Sequence, residues 1–167
     1  ILPTFIGGMT AGAIENGRVR YVHIEPPHQL KCCVFIPNFT LSTKKARAVL
    51  PKQVSLADAI YNTSRAALMV GAMTQGRLEL VRTAIGDKLH QPYRKELIPG
   101  YDDIVTAAEN AGALGCCLSG AGPTMIAFLD RDYRQFVQRM ANFVKTLNKK
   151  WEVRLLDICY EGATWDF

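Results

Sequence analysis

The sequence predicts an α+β fold, and three observations carry that expectation. Apolar strand-like runs and helical blocks follow one another as strand, helical insertion, strand, strand, helix, strand across residues 30–158, the order of a split βαβ with a four-stranded antiparallel sheet backed by helices on one face. Two of these runs are joined by a short turn of small residues, Ser119-Gly-Ala-Gly-Pro-Thr124, as in a tight hairpin. The regular strand and helix alternation that a doubly wound parallel sheet requires is absent.

The elements are read in chain order. The start, Ile1-Leu-Pro-Thr-Phe-Ile-Gly-Gly-Met9, has neither an initiator methionine nor the profile of a secretory signal and reads as an internal stretch. Arg18–Ile24 and Leu30–Ile36 read as strands, the first preceded by the turn-like Glu15-Asn-Gly17 and the two separated by Pro26-Pro27. Ser42 is placed to cap a short helix ending before Pro51. Ser55 caps a longer one over Leu56–Thr74, where Ala59, Ile60, Thr63, Ala66, Ala67 and Val70 share one stripe. Leu78–Ile85, Gln91–Leu97 and Tyr101–Asn110 are further helices, broken by Gly86, Pro92 and Pro99-Gly100. Beyond the glycine loop, Phe136, Val137, Met140, Phe143, Val144 and Leu147 keep a 3.6 period over Tyr133–Leu147. Trp151–Ile158 closes as the last strand.

The glycine loop carries the chemistry that the residues themselves suggest. Gly120 and Gly122 can adopt positive φ, and small Ser119 and Ala121 let a ligand approach the backbone. Successive N–H groups in such a turn converge on an anion, with the hydroxyls of Ser119 and Thr124 as further donors. The pattern by itself fits a plain tight hairpin better, because short glycine motifs recur by chance.

Composition narrows the class. A chain of 167 residues, 49% hydrophobic, can bury one core, and it holds no apolar run long enough for a membrane helix. The net charge of +5 comes from scattered Lys and Arg, densest at Lys44-Lys45-Ala-Arg47, without a basic stripe interleaved with aromatics. Nucleic acid and membrane are therefore not expected partners, and anionic small molecules are. The five cysteines are two adjacent pairs, Cys32-Cys33 and Cys116-Cys117, plus Cys159. Strand neighbours point to opposite faces, so neither pair suits one metal, and buried free thiols in a reducing compartment are expected. His23, His28 and His90 are isolated in sequence.

Three segments together resemble one family. Pro37-Asn38-Phe-Thr-Leu-Ser-Thr43-Lys-Lys-Ala-Arg47-Ala-Val-Leu-Pro51, Asp87-Lys-Leu-His90-Gln-Pro-Tyr-Arg94-Lys-Glu-Leu-Ile-Pro-Gly100 and Gly115-Cys-Cys-Leu-Ser119-Gly-Ala-Gly-Pro-Thr124 resemble the C-terminal half of the homoserine kinases, in the GHMP small-molecule kinase superfamily. The resemblance spans nearly the whole chain and favours the anion cradle over the bare hairpin. It implies a ferredoxin-like C-terminal domain over 29–167, with 1–28 as strands left from an adjoining ATP-binding domain. The implied activity is phosphoryl transfer from ATP to the hydroxyl of L-homoserine, giving O-phospho-L-homoserine on the way to threonine, in a homodimer located in the cytoplasm, or in a plastid for a plant protein.

The resemblance also assigns roles. A zwitterionic acceptor needs a fixed cation for its α-carboxylate, which guanidinium groups supply in bidentate form. By resemblance Arg47 and Arg94 take that place, Thr43 stands near the reacting hydroxyl as catalytic and substrate-binding residue, and Ser119, Gly120, Ala121, Gly122 and Thr124 shape the phosphate side. His90 lies one helical turn before Arg94. The family's Pro-x-x-x-Gly-Leu-Gly-Ser-Ser-Ala loop is not in this sequence, so ATP and Mg²⁺ are expected to be held by the other half and this chain alone to be inactive. No metal ligand is assigned here, since Asp87, Glu96, Asp102 and Asp103 are explained by helix faces and caps. The rival expectations are a sibling kinase acting on another hydroxylated anion and a non-catalytic module that binds an amino acid or another subunit.

Overall fold

Two strand segments set the chain's first turn: Asn16 and Gly17, at φ 50° and 74°, form the tight link that suits the twist of a two-residue hairpin. They join β1 (Met9–Glu15) to β2 (Arg18–Ile24) in a separate antiparallel pair. The computed structural model describes residues 2–164; positions 1 and 165–167, at the outer bounds of the two expected domains, lie outside the described residues. Before the hairpin, Leu2–Ile6 form a short helix, α1, where strands were expected. β1 itself has no strong signal in sequence, because Ala11, Gly12 and Ala13 are poor strand formers.

The larger sheet has the expected connectivity. β3 (Lys31–Pro37) is followed by α2 (Thr43–Ala48), α3 (Leu56–Gln75), a 3₁₀ turn at Leu78–Leu80, α4 (Val81–Ala84) and α5 (Gln91–Arg94). After a second 3₁₀ turn at Lys95–Leu97 come α6 (Tyr101–Asn110), β4 (Gly115–Leu118), β5 (Met125–Leu129), α7 (Tyr133–Phe143) and β6 (Trp151–Leu156). The four strands run antiparallel in the order β4-β5-β3-β6. This is the split βαβ arrangement, with the helical insertion between β3 and β4.

Strand periodicity divides the interior between the sheet's faces. Met125, Ala127 and Leu129 of β5, with Cys33 and Phe35 of β3, meet Ile104 and Ala108 of α6 and Phe136 and Met140 of α7 in the main core. Phe128 points the other way and joins a smaller cluster in which Ile24 of the hairpin packs with Leu30, Met73, Leu78 and Val81. The expected caps are present: the Ser42 hydroxyl accepts from Lys45 N at 3.2 Å and the Ser55 hydroxyl from Asp58 N at 3.0 Å. Gly76, at φ 69°, ends α3 in the left-handed conformation of a C-cap. Pro92 opens α5 rather than breaking a helix.

A further sequence expectation changes at α3. Most of the α3 stripe is not its packed face: Ile60 is 60% exposed, and Thr63, Ala66 and Ala67 are exposed as well, while Val70 alone joins the smaller cluster. The inward side carries Asn62, Arg65, Met69, Ala72 and Met73, because the helix turns polar groups toward the segment 86–91.

The cysteines alternate as strand geometry requires, Cys33 and Cys116 being buried and Cys32 and Cys117 half-buried. Burial pushes the Cys32 thiol up to about 11 and those of Cys33 and Cys117 to about 12, and raises Cys116 further. Cys159 is exposed. The thiolate is the reactive form, so a water-soluble maleimide near neutral pH is expected to modify Cys159 at least about tenfold faster than the sheet cysteines, read by peptide mass mapping. Equal labelling of all five would contradict this packing.

Candidate active site

The residues expected at the acceptor site start from one short helix and its neighbours. Arg94, the last residue of α5, sends Nε to the carbonyl of Ala46 in α2 at 3.1 Å and Nη1 to the carbonyl of Gly120 at 3.2 Å. One side chain thus ties together the three segments that carry the family resemblance. Arg47 follows Ala46 and is exposed, and Thr43 stands exposed at the first turn of the same helix. No hydrogen bond joins Arg94 to either side chain among the described residues. His90 Nδ1 lies 3.4 Å from Arg94 Nη1, so the two do share one place. Burial draws the His90 imidazole below its ordinary range; Asp87 opposes this and the Arg94 charge adds to it. The neutral ring that results can accept from the guanidinium.

The glycine loop is a tight connection between β4 and β5. Ser119 N donates to Thr124 O at 2.9 Å and Gly122 N to Ser119 O at 3.1 Å. Gly120 and Gly122 have φ of 61° and 76°, the left-handed values expected of them. The N–H groups of Gly120, Ala121 and Thr124 and the hydroxyls of Ser119 and Thr124 have no protein partner among the described residues, so an anion would find them free. The loop is thus a hairpin whose donors are only partly used.

Asp87 organises the approach to α5. Its carboxylate accepts from the backbone N–H of Leu89 at 3.0 Å, His90 at 2.9 Å and Gln91, and from the Asn62 amide of α3. Burial acts to raise its pKa, yet the N–H bonds from Gln91, Leu89 and His90 and the Asn62 amide outweigh that and hold it below the usual carboxylate range. The sign follows directly: a depressed folded-state value gives stability that is present above the unfolded value of about 3.9 and is lost as pH falls through the folded value. The melting-temperature gap between wild type and Asp87→Asn is expected to be widest near about pH 6 and to close toward about pH 3. A gap independent of pH would mean that the carboxylate charge does not hold the turn.

Gln91 is the residue sequence reading did not single out. Its Oε1 accepts from Tyr101 OH at 3.0 Å and from Leu118 N at 2.9 Å, and its Nε2 reaches Ile85 O at 3.3 Å. It therefore fixes α5 to the strand end from which the glycine loop departs. Asn62 was likewise not singled out, since its partners lie 25 and 26 residues away. The only local signal was Asp87 placed ahead of His90-Gln-Pro92, a helix-start pattern. Two cavities flank this turn. One of about 290 Å³ is lined by Asp87, Gln91, Lys95 and Tyr101, and one of about 310 Å³ by Asn62, Arg65, His90 and Phe128. Thr43, Arg47, Arg94 and the glycine-loop residues Ser119–Thr124 line neither cavity; Thr43, Arg47, Ser119 and Gly120 are exposed, and Arg94, Ala121, Gly122 and Thr124 are half-buried.

The family described as GHMP kinases, C terminal, matches residues 69–145. A homoserine kinase of Petrotoga mobilis is 42% identical over 162 residues, which is 97% of this chain and 53% of that protein. One of Clostridium botulinum is 45% identical over 163 residues, 98% of this chain and 55% of that protein. The crystal structure of homoserine kinase from Cytophaga hutchinsonii superposes with a TM-score of 0.89 at 28% identity, over 96% of this chain and 51% of that one. An L. major mevalonate kinase shares the fold at a TM-score of 0.67 and 18% identity. The chain spans about half the length of the curated relatives it matches. Residues 69–145 are similar to the GHMP kinase C-terminal domain, and nearly the whole chain is similar to one half of the homoserine kinases.

Proposed function

We propose that this chain is the acceptor-binding half of a homoserine kinase, which transfers the γ-phosphoryl group of ATP to the hydroxyl of L-homoserine and so yields O-phospho-L-homoserine for threonine synthesis. The observation that carries the reading is Arg94 joining α2 to the glycine loop, within segments similar to homoserine kinases. Arg94 and Arg47 hold the acceptor's α-carboxylate, which places the side-chain hydroxyl near Thr43. The free N–H groups of Gly120, Ala121 and Thr124, with the hydroxyls of Ser119 and Thr124, stabilise the oxygens of the transferring phosphoryl group. Catalysis then comes from position and charge.

Magnesium does not fit the acidic groups here. The carboxylate of Asp87 is taken by N–H donors, Asp102 pairs with Lys95, and no cluster of three potential ligands occurs among the described residues. No step is therefore routed through the metal, and ATP and Mg²⁺ are assigned to the other half of the protein. The proposed domain division places 1–28 with that half and 29–167 in this one. The outer face of the β1–β2 hairpin supports it, since Ile14, its partner Val19 and the neighbouring Tyr21 share that face and are 78%, 52% and 49% exposed, an apolar area suited to covering. A homodimer in the cytoplasm completes the reading.

The test is turnover. The 167-residue chain is expected to show no homoserine-dependent ATP hydrolysis or transfer, and addition of the matching half in trans to restore it. Robust transfer by the chain alone would overturn this division of labour. Homoserine binding by the combined halves without any turnover would instead favour a non-catalytic amino-acid module.

A further inference from the structure

The helix that carries Arg94 cannot hold itself. α5 is four residues long, far below the length at which a helix is stable by its own hydrogen bonds, and the 3₁₀ turn that follows adds only three more. Its pose must come from outside, and the bonds that supply it converge on Asp87. That side chain is 5% exposed. It gathers the N–H groups of Leu89, His90 and Gln91, so the whole turn entering α5 is wrapped around one carboxylate. Asn62 locks this turn to α3 by donating to Asp87 and accepting from Lys88 N at 2.9 Å. One turn further on, Arg94 N donates to His90 O at 3.1 Å, so the backbone that Asp87 sets is the backbone from which the guanidinium extends.

We infer that Asp87, held by Asn62, is the positioning residue of the acceptor site: it fixes the 87–91 turn so that the Arg94 guanidinium stands between α2 and the glycine loop. This rests on the proposed acceptor role of Arg94. Asp87 does not touch the acceptor itself, because its buried oxygens are occupied. Asn at this position keeps the volume but replaces one acceptor oxygen by a donor facing N–H groups, which loosens the turn without opening a cavity.

The experiment uses the complete enzyme and two readouts. In steady-state kinetics, Asp87→Asn is expected to raise the homoserine KM at least about tenfold, while the ATP KM stays within about twofold. In the Arg94→Ala background the same substitution is expected to change the homoserine KM by less than about twofold, because both act through one group. The Arg94 Nε–H resonance, identified by its loss in Arg94→Ala, is expected to shift or broaden in Asp87→Asn and in Asn62→Ala. An unshifted Arg94 resonance in both variants overturns the positioning role whatever the kinetics show. An undiminished effect of Asp87→Asn on KM in the Arg94→Ala background overturns it too. Should Arg94→Ala alone leave the homoserine KM unchanged while its resonance still responds to Asp87→Asn, the acceptor assignment fails and the positioning of Arg94 by Asp87 stands.

Discussion

Replacing Arg94 by Ala in the intact enzyme is expected to raise the homoserine KM by roughly 30- to 150-fold, the loss of about 2 to 3 kcal/mol that a charged hydrogen bond from its remaining Nη2 group represents, and to move the ATP KM far less. The structure adds a second consequence. The guanidinium also bonds the carbonyls of Ala46 and Gly120, so its loss frees the glycine loop from α2 and should lower kcat as well. Arg47→Ala separates the two effects. That side chain is exposed and makes no hydrogen bond or ion pair among the described residues, so its removal should raise the homoserine KM with little change in kcat. Steady-state kinetics with each substrate varied in turn provide the check. Wild-type homoserine KM in both variants would remove the arginines from the acceptor site.

Gly122→Val is expected to lower kcat at least about 100-fold while the protein remains folded. Two costs combine at this position. The backbone sits at φ 76°, where a β-branched residue is strained by roughly 1 to 3 kcal/mol. A Cβ here would also stand 3.0 Å from Ile98 Cδ1, and Ile98 is buried, so its terminal methyl or the loop must shift by a few tenths of an ångström. Gly120→Val meets no atom within 4 Å and bears the conformational cost alone, so its loss of activity should be smaller. Circular dichroism and a thermal melt establish that the variants fold. Unaltered kinetics in a folded Gly122→Val would reduce the loop to a plain connection between β4 and β5.

The difference between what was legible and what was not follows the range of each interaction. Ser42 and Ser55 announce their helices because a cap and its N–H partner lie three residues apart. Asn16-Gly17 announces a turn, and Tyr101–Asn110 a helix with the same bounds as observed. The order of these elements was enough for the split βαβ topology, since so few connections are compatible with it. The stripe of α3 misled because Ala, Thr and Ile can share a helix side without that side being buried. Which side packs depends on where Asn62 and Arg65 find partners.

The site divides in the same way. Residue type and spacing by themselves determined the positive-φ glycines of the loop, and the resemblance to a known family nominated Thr43, Arg47 and Arg94. What brings α2, α5 and the loop together is decided only in three dimensions, by Arg94 bonding to residues 48 and 26 positions away. Gln91 reaching Leu118 and Asn62 reaching Asp87 are likewise visible only there. A hydrogen bond between a side chain and a distant backbone carbonyl or amide leaves no pattern in the sequence, because every residue but proline offers the same backbone groups. Local bonds select residue types and can be read along the chain; these long-range ones select positions, and only the folded backbone supplies them.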